Sequence, residues 1–269
     1  MQIKHTDKPY TIIPFSKSRK NITLVIHEGK RKHVVHALLE LDVTDALRYI
    51  KVKKQQGKDI SFTGWLVKCV AQAAYEHREV NCYRQGKRKI IVFDDVDVPI
   101  TMERDADGER RPIPYIIRKA QIKNLDEITT DIRRIQQQDV NEDSQILGLH
   151  LNRIERAIIK APQVVKKIAL MILRIQGRLK KQYMGTIGVT SIGMLGNFPG
   201  WVIPLGGPLT MLVAVGGIQK KPGVIRDEIA IRKYLHITIA IDHDLIDGGP
   251  LARFVNRLSE LIESAYQLS

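Results

Sequence analysis

The sequence contains little cysteine, few aromatic residues and no long apolar run. Its 269 residues include two cysteines, Cys69 and Cys82, and aromatic residues make up 6% of the chain. The cysteines show neither metal-ligand nor disulfide spacing, so we predict no metal site and a reducing compartment. No stretch of about eighteen apolar residues is present, and no membrane span is expected. Residues 1–10 lack the apolar core of a signal peptide, so the protein is predicted to be cytoplasmic.

The chain is also short of acidic residues. It carries 43 Lys and Arg against 29 Asp and Glu, a formal net charge of +14 at pH 7. This excess favours an anionic partner, such as a nucleic acid, an acidic membrane or protein surface, or a phosphorylated cofactor, although a solvated basic surface explains it equally well. The basic residues are dispersed and form no nucleic-acid-binding motif, so no nucleic acid partner is predicted.

Hydrophobic periodicity predicts strands and helices in irregular alternation. Strands are predicted at 23–26, 33–41, 89–93, 96–101, 113–117, 186–191, 211–216 and 236–241. Helices are predicted from 46, capped by Thr44 or Asp45, from the N-cap Thr63 to His77, over 124–138 and over 250–265. Such an order is typical of an α/β fold with mixed strand pairing rather than of a regular βαβ series.

The sequence divides into an N-terminal arm, 1–20, and a single domain, 21–269. Within the domain, 146–182 is basic and amphipathic, and Pro162 breaks it into a helical hairpin. A wide apolar stripe is first of all a core face, so we expect two helices docked on the sheet, with lysines that reach solvent. The alternative is an element that docks on a membrane surface or a partner, which the pattern allows but does not favour.

The strongest local motif is H-x-x-x-D-G, formed by His243, Asp247 and Gly248 between a predicted strand and the last predicted helix. A neutral imidazole near physiological pH can take a proton from a thiol or a hydroxyl group. Asp247 can fix the loop by accepting hydrogen bonds or pairing with an arginine, and Gly248 permits the turn into the helix. The alternative interpretation is a turn that carries a solvated histidine.

Segments along most of the chain resemble the catalytic domain of dihydrolipoamide acyltransferases, the core components of 2-oxo acid dehydrogenase complexes. Residues 242–248 are similar to the family's DHRxxDG, 186–196 to TFTISNLGMxG and 208–216 to PPQxAILGVG. Residues 18–22, 41–44, 79–81 and 116–120 resemble IRKxIA, VDVT, PxVN and PVIRxA, in the family's order. Residues 252–254 are also similar to the end of trimeric chloramphenicol acetyltransferase, which shares the fold. The resemblance implies an α/β, chloramphenicol acetyltransferase-like mixed sheet flanked by helices, in a trimer.

The resemblance also implies a catalytic pair. His243 would be the general base that deprotonates the attacking thiol, and Thr190 would donate the hydrogen bond that stabilises the tetrahedral oxyanion. Alternate residues of a strand face opposite sides, so only one of Thr190 and Ser191 can enter the site, and the resemblance selects Thr190. The family's site lies at a subunit boundary, so His243 is expected to face a neighbouring chain.

Two further roles concern the loop that carries the histidine. Asp247 would hold this loop through Arg19, and Gly248 would support the turn. Coenzyme A or acyl-CoA is the implied cofactor, and its phosphates would use part of the positive charge. No residue is assigned to cofactor binding.

Several features depart from the family. We find no lipoyl domain, no peripheral subunit-binding domain and no Ala/Pro-rich linker, so we expect a stand-alone domain without a lipoyl group of its own. A separate lipoyl or acyl-carrier protein would then be a partner. Residues 109–112 replace the family's xGL, and 146–182 replaces a shorter stretch, in places where an acceptor could be recognised. Residues 263–269 lack the family's apolar tail, which predicts a free trimer.

Three functions remain open from the sequence. The first is a coenzyme-A-dependent acyltransferase that moves an acyl group from a thioester to a thiol or other acceptor. The second is the core of a 2-oxo acid dehydrogenase complex served by separate lipoyl proteins. The third is a non-catalytic scaffold or membrane-docking protein, against which the intact His243, Asp247, Gly248 and Thr190 argue. The acyl chain and acceptor are not specified, because a histidine base serves thiols, hydroxyls and amines.

Overall fold

The computed structural model describes residues 9–10, 12–106, 109–137, 157–158, 161–193 and 198–268. The strands are β1 Val34–Asp42, β2 Cys82–Gln85, β3 Lys89–Val92, β4 Val98–Ala106, β5 Glu109–Ile117, β6 Ile187–Ser191, β7 Met211–Ile225 and β8 Glu228–Asp242. Six of them form one sheet in the order β1-β8-β7-β6-β4-β5, and β2 pairs with β3 in a small second sheet.

The main sheet is mixed because of β6. This strand runs parallel to both of its neighbours, β4 and β7, whereas the other pairs of the sheet are antiparallel. Parallel neighbours need a crossover connection rather than a tight turn, which explains the irregular order of strands and helices in the sequence. The predicted α/β class with mixed pairing is confirmed.

The helices of the described segments are α1 Lys17–Gly29, α2 Thr44–Gln55, α3 Phe62–Glu76, α4 Leu125–Gln137, α5 Gln163–Ile175, α6 Gly177–Met184 and α7 Gly248–Glu263. A short 3-10 turn, Arg78–Val80, follows α3. The core lies between the main sheet and helices α3, α4 and α7. Trp65 of α3 and Phe254 of α7 are both fully buried there, and the apolar face predicted for the last helix is confirmed.

One predicted strand and two predicted helix caps were wrong. Residues 23–26 were predicted as a strand from their β-branched side chains, but they lie inside α1, whose N-cap Ser16 accepts a hydrogen bond from the Arg19 amide. In α3 the cap is Ser61, whose hydroxyl accepts from the Gly64 amide at 3.2 Å, and not Thr63.

The third correction concerns α2. Neither Thr44 nor Asp45 caps this helix with its side chain. The Thr44 amide instead donates to the Asp42 carboxylate at 2.9 Å. A carboxylate before the first turn satisfies an orphan amide and is favoured by the helix dipole.

Strands β7 and β8 extend far beyond the predicted lengths as a long hairpin. Residues 226–227 form its two-residue turn with φ angles of 50° and 65°, as a type I′ turn requires. Near this end, which we call the hairpin tip, Val224, Ile229 and Ile231 are 71%, 81% and 78% exposed. Val224 pairs directly with Ile229, and Ile231 follows two residues later, so all three lie on one face of the hairpin.

The predicted basic hairpin at 146–182 lies partly outside the described residues, namely at 146–156 and 159–160. Its described helices, α5 and α6, pack against β2 of the small sheet rather than across the main sheet. Arg174 of α5 also forms two hydrogen bonds of 2.9 Å with Glu28 of α1. Nevertheless α5 buries none of its residues fully. Within the described part of the chain, no helix has both the length and the apolar character needed to cross a membrane.

Candidate active site

The backbone of the loop after β8 is held in place at its first residues. The Asp242 amide donates a hydrogen bond to the Thr210 carbonyl at 2.8 Å, and the His243 amide donates one to the His33 carbonyl at 2.9 Å. The Asp242 carbonyl accepts from the amides of Leu245 and Ile246 at 3.0 and 3.1 Å. The loop is therefore anchored on both sides of His243, as rigid presentation of a side chain requires. We call residues 242–248 the catalytic loop, after the role predicted for His243.

The His243 side chain projects from this loop into solvent. It is exposed and has no hydrogen-bond or ion-pair partner among the described residues. Its neighbour Asp244 accepts a hydrogen bond of 2.8 Å from Nδ1 of His33. That hydrogen bond, together with the Asp244 charge, raises the pKa of His33. A single chain thus fixes where His243 is but leaves its imidazole free to meet a substrate or a neighbouring chain.

Thr190 and Ser191 lie on opposite faces of β6. Ser191 shares its face with Val189, which belongs to the core, and its hydroxyl is buried without a hydrogen-bond partner in the described structure. Thr190 lies on the other face, half-buried, in register with Thr101 of β4 and Ala214 of β7. The alternation expected from the sequence is therefore present, and it places Thr190 on the face away from the core helices.

Strand geometry separates Thr190 from His243 within one chain. Thr190 pairs with Ala214, and Ala214 pairs with Thr238 of β8. His243 lies five residues beyond Thr238 in the sequence. With about 3.3 Å per residue along a strand and about 4.8 Å between strands, Thr190 and His243 are roughly 15–20 Å apart. One chain does not bring them to the same reacting atom.

The structure does not pair Asp247 with Arg19. Asp247 is the exposed N-cap residue of α7, and its side chain makes no capping hydrogen bond. Arg19 is exposed on α1, and the two side chains form no ion pair in the part of the chain that is described. The expected clamp between them is absent from a single chain.

The physical role predicted for Gly248 is also wrong. Its φ angle is not in the left-handed region that favours glycine. A Cβ atom built at this position would meet no heavy atom within 4 Å. The turn from the catalytic loop into α7 therefore does not depend on glycine at this position.

Sequence reasoning missed Lys32, which holds the base of the catalytic loop. Its ammonium group lies 3.4 Å from the Asp242 carboxylate and donates to the carbonyls of Pro208 and Leu209. Both side chains of the ion pair are largely buried. Burial lowers the pKa of Lys32, although the charge and hydrogen bond of Asp242 act in the opposite direction. The one signal in the sequence was Asp242, an aspartate beside the predicted base His243 that needed a cationic partner.

A pocket of about 100 Å³ lies behind the catalytic loop, between the end of α1 and helices α5 and α6. Asp242 and Asp244 line it, whereas His243 does not. Five of its charged lining residues are basic and three are acidic, so its lining favours an anionic group. No group of three or more His, Cys, Asp or Glu side chains in the described segments is arranged to hold a metal ion.

The family model described as 2-oxoacid dehydrogenases acyltransferase (catalytic domain) matches residues 7–145 and 157–269. Residues 146–156 are thus the part of the predicted hairpin segment outside the match.

Among curated proteins, the chain is 27% identical over 260 residues to the lipoamide acyltransferase component of the branched-chain alpha-keto acid dehydrogenase complex of Bacillus subtilis, covering 94% of this chain and 52% of that protein. It is 25% identical over 267 residues to the dihydrolipoyllysine-residue acetyltransferase component of the pyruvate dehydrogenase complex of Zymomonas mobilis, covering 96% and 51%. The chain spans about half the length of these curated relatives.

Among solved structures, the fold is similar to a probable dihydrolipoamide acetyltransferase from Listeria monocytogenes, with a TM-score of 0.68, 22% identity, and coverage of 96% of this chain and 97% of that one. The dihydrolipoamide acetyltransferase of Azotobacter vinelandii superposes with a TM-score of 0.70 at 14% identity, covering 100% and 99%. That structure was solved to examine a serine, a histidine and an asparagine in the catalytic mechanism. These likenesses confirm the fold that the sequence motifs implied.

Proposed function

The chain belongs to the family of 2-oxoacid dehydrogenase acyltransferase catalytic domains, and from this premise we propose that it transfers an acyl group between coenzyme A and a dihydrolipoyl thiol. The observation that carries the proposal is His243, an exposed imidazole without a partner on a loop whose backbone is anchored on both sides. A side chain that only stabilised the fold would be packed or hydrogen-bonded. This one is positioned but unused within the single chain.

His243 acts as general base and then as general acid. Its neutral imidazole takes the proton of the attacking thiol, and the thiolate adds to the thioester carbonyl carbon. The tetrahedral intermediate collapses by breaking its bond to the original sulfur, and the departing thiolate takes the proton back from the imidazolium. One thioester and one thiol are consumed, one of each is formed, and the histidine returns to its starting state.

Thr190 supplies the oxyanion donor from a neighbouring copy. Because the two residues are roughly 15–20 Å apart in one chain by strand geometry, a site that uses both needs two chains. The Thr190 hydroxyl has no acceptor in the described structure and is therefore available to the developing oxyanion. Loss of one such donor typically lowers kcat by about 10²–10³-fold.

Asp247 supports the catalytic loop at the same boundary. The histidine and asparagine studied in the Azotobacter vinelandii enzyme are four residues apart, as are His243 and Asp247 here. Among the described residues Asp247 is exposed and unpaired, so it is free to meet a substrate group or a residue across the boundary. The separation of Thr190 from His243 is what requires an oligomer, and we propose a trimer.

The cofactor and carrier follow from the same chemistry. Coenzyme A is one thiol substrate. The other thiol substrate is a dihydrolipoyl group, which is carried outside this domain or on a separate protein. The relatives from Bacillus subtilis and Zymomonas mobilis are components of 2-oxo acid dehydrogenase complexes. We therefore favour a complex core over an isolated acyltransferase. The exposed apolar residues of α5, including Val164, Ile168 and Met171, offer a surface on which such a complex could assemble.

The test is an assay of acyl transfer from acetyl-CoA and branched-chain acyl-CoA to dihydrolipoamide. The release of coenzyme A is the measured quantity. We expect turnover by the wild type and loss of at least 10³-fold in His243→Ala. The matched control is His27→Ala, which removes an exposed histidine from α1. Equal turnover by wild type and His243→Ala would remove His243 from the mechanism. No turnover by correctly folded wild type with any acyl chain would refute the transferase proposal.

A further inference from the structure

Helix α5 is attached to the rest of the protein by its polar side. Lys166 donates a hydrogen bond to the Asn21 side chain at 3.0 Å, and Arg174 donates two of 2.9 Å to Glu28. Both acceptors lie on α1. Leu170, one turn from each of these two cations, lines the pocket behind the catalytic loop. The side of α5 that carries these three residues therefore faces the protein.

The opposite side of α5 is apolar and exposed. Successive residues of a helix are about 100° apart, so six apolar residues fall within an arc of roughly 120° centred opposite Leu170. We call this set the α5 face, and its members are between 40% and 67% exposed. They are Val164, Val165, Ile168, Met171, Ile172 and Ile175. A helix docked on a core is oriented the other way round, so α5 is not the core-facing helix that its wide apolar stripe predicted.

The α5 face lies in a strongly basic part of the sequence. Residues 156–226 contain no Asp or Glu and eleven Lys and Arg. Lys167, four residues before Met171, lies at the edge of the face, and Arg178 follows at the start of α6. Both are exposed, and neither has an ion-pair partner among the described residues. An apolar strip flanked by free cations is typical of a helix that lies in a membrane interface.

Lys180 of α6 does not contribute to this surface charge. It is 8% exposed, and its ammonium group lies 4.3 Å from the centre of the Tyr83 ring. Burial and the nearby Lys32 ammonium lower the pKa of Lys180 to about 7. Its side chain lines the pocket behind the catalytic loop, so it is on the protein side of the two helices.

We propose that α5 binds the surface of an anionic lipid membrane and lies flat in the interface. Its 13 residues are about 20 Å long, and the α5 face enters the boundary between headgroups and acyl chains. Lys167 and Arg178 contact the anionic headgroups, with their alkyl chains beside the apolar residues. This mode of binding needs no helix that crosses the bilayer, and it is independent of the chemistry at His243.

A protein surface is the competing occupant of the α5 face, either a second copy or a component of a complex. Two copies that paired symmetrically through α5 would bring the Lys167 and Arg178 side chains of each close to those of the other, with no carboxylate in the segment to separate them. A different protein would need an acidic groove shaped to a convex helix. An anionic membrane supplies the negative charge and requires no matching shape, so the charge pattern favours lipid.

The test is flotation of the full chain with vesicles of phosphatidylcholine alone and of phosphatidylcholine mixed with phosphatidylglycerol. We expect binding to the mixed vesicles to be at least about tenfold tighter and to weaken at high salt, because salt screens the cations. The apolar variant is Ile168→Gln with Ile172→Gln, and the charge variant is Lys167→Gln with Arg178→Gln. Each should weaken binding to the mixed vesicles at least about tenfold.

Matched controls make the same kinds of change elsewhere on the surface. Ile90→Gln with Ile122→Gln removes two exposed isoleucines, and Lys51→Gln with Lys54→Gln removes two exposed cations of α2. Both controls should bind the mixed vesicles as the wild type does. Because the α5 face points away from the protein, the apolar variant should keep the circular dichroism spectrum and the melting temperature of the wild type.

Two results would overturn the proposal. One is that the folded wild type does not bind the mixed vesicles at low salt. If light scattering then shows a smaller oligomer for the apolar variant, the α5 face is assigned to another copy. The other is that the apolar variant binds as tightly as the wild type, which would assign the binding to net charge alone. Vesicle binding is measured without acyl-CoA, so its failure is distinguishable from loss of the His243-dependent turnover.

Discussion

The Lys32 ammonium group lies 3.4 Å from the Asp242 carboxylate, so a residue of the loop before β1 fixes the residue directly before His243. The two positions are 210 residues apart in the sequence. Their ion pair is largely buried and is completed by the carbonyls of Pro208 and Leu209. It joins the start of β1, the start of β7 and the end of β8 beneath the catalytic loop.

Lys32→Met is expected to destabilise the fold by about 3–5 kcal/mol, because it leaves the Asp242 carboxylate buried without a counterion. Denaturation by urea measures the effect. The matched control is Lys119→Met, which breaks the exposed Lys119–Asp95 pair of 3.3 Å and should cost ~1 kcal/mol or less. The double variant Lys32→Met with Asp242→Asn should be more stable than the sum of the two single changes predicts. Equal effects of Lys32→Met and Lys119→Met would contradict the structural role.

Thr190→Val and Ser191→Ala should distinguish the roles of the two side-chain hydroxyl groups of β6. Thr190→Val keeps the shape of the side chain and removes the oxyanion donor, so kcat should fall by about 10²–10³-fold. Ser191→Ala removes a buried hydroxyl without a partner, so activity and stability should hardly change. Steady-state kinetics and thermal unfolding of both variants are the measurement. The reverse result would move the donor to Ser191.

Mixed oligomers test whether His243 and Thr190 of one site come from different chains. His243→Ala and Thr190→Val are each expected to be inactive, but co-expression at equal levels should restore about a quarter of wild-type activity, because one interface in four then combines two intact residues. If both residues of a site came from one chain, every site would carry one defect and no activity would return. The specific activity of the purified mixture, with its composition determined by mass spectrometry, distinguishes these cases.

Gly248→Ala should be tolerated or slightly stabilising, since the backbone is not left-handed and the added Cβ meets open space. Gly185→Ala is the contrasting change. There φ is 75°, and a Cβ would lie 2.5 Å from Cδ of Pro99. We expect a clear fall in melting temperature for Gly185→Ala only. A similar fall for both variants would show that Gly248 has a structural role that this geometry does not contain.

Lys180 should make the free energy of unfolding depend on pH. Its pKa is lowered from 10.5 to about 7 in the folded chain, so between these values the unfolded chain binds the proton and the folded chain does not. Stability contributed through this group therefore rises from about pH 7 towards 10.5 and is lowest below pH 7. Lys180→Met should be more stable than the wild type at pH 6, with the difference shrinking by pH 9, in urea titrations without phosphate. A constant difference across this range would show that Lys180 is not desolvated.

The sequence was most informative where the residues of a single strand, helix or turn determine the structure of that segment. The strand that ends at Asp242, the helix that buries Phe254 and the turn that contains His243 could all be predicted locally. The segment 23–26 could not, because four residues with β propensity gave no sign that the Ser16 hydroxyl starts a helix seven residues earlier. The outer half of the β7–β8 hairpin was missed because its apolar residues alternate with charged ones and are not buried.

The candidate site shows the same division. His243, Asp247 and Thr190 could be named from motifs, because they lie in short recognisable segments. Lys32 and Lys180 could not, since each gains its role from residues at least 60 positions away once the chain has folded. The expected pairing of Asp247 with Arg19 shows the limit of transferring a contact by resemblance: both residues are present, but they form no ion pair in the described part of a single chain.

The hairpin tip has a consequence for how this protein is handled. Val224, Ile229 and Ile231 place three large apolar side chains in water on a ribbon of two strands that has little else to pack against. Covering them with another copy would link folding to association, and stability would then obey mass action. We expect the melting temperature to rise with protein concentration and dilution to cause loss of activity. The low protein concentrations used in enzyme assays would then be those at which the protein is least stable.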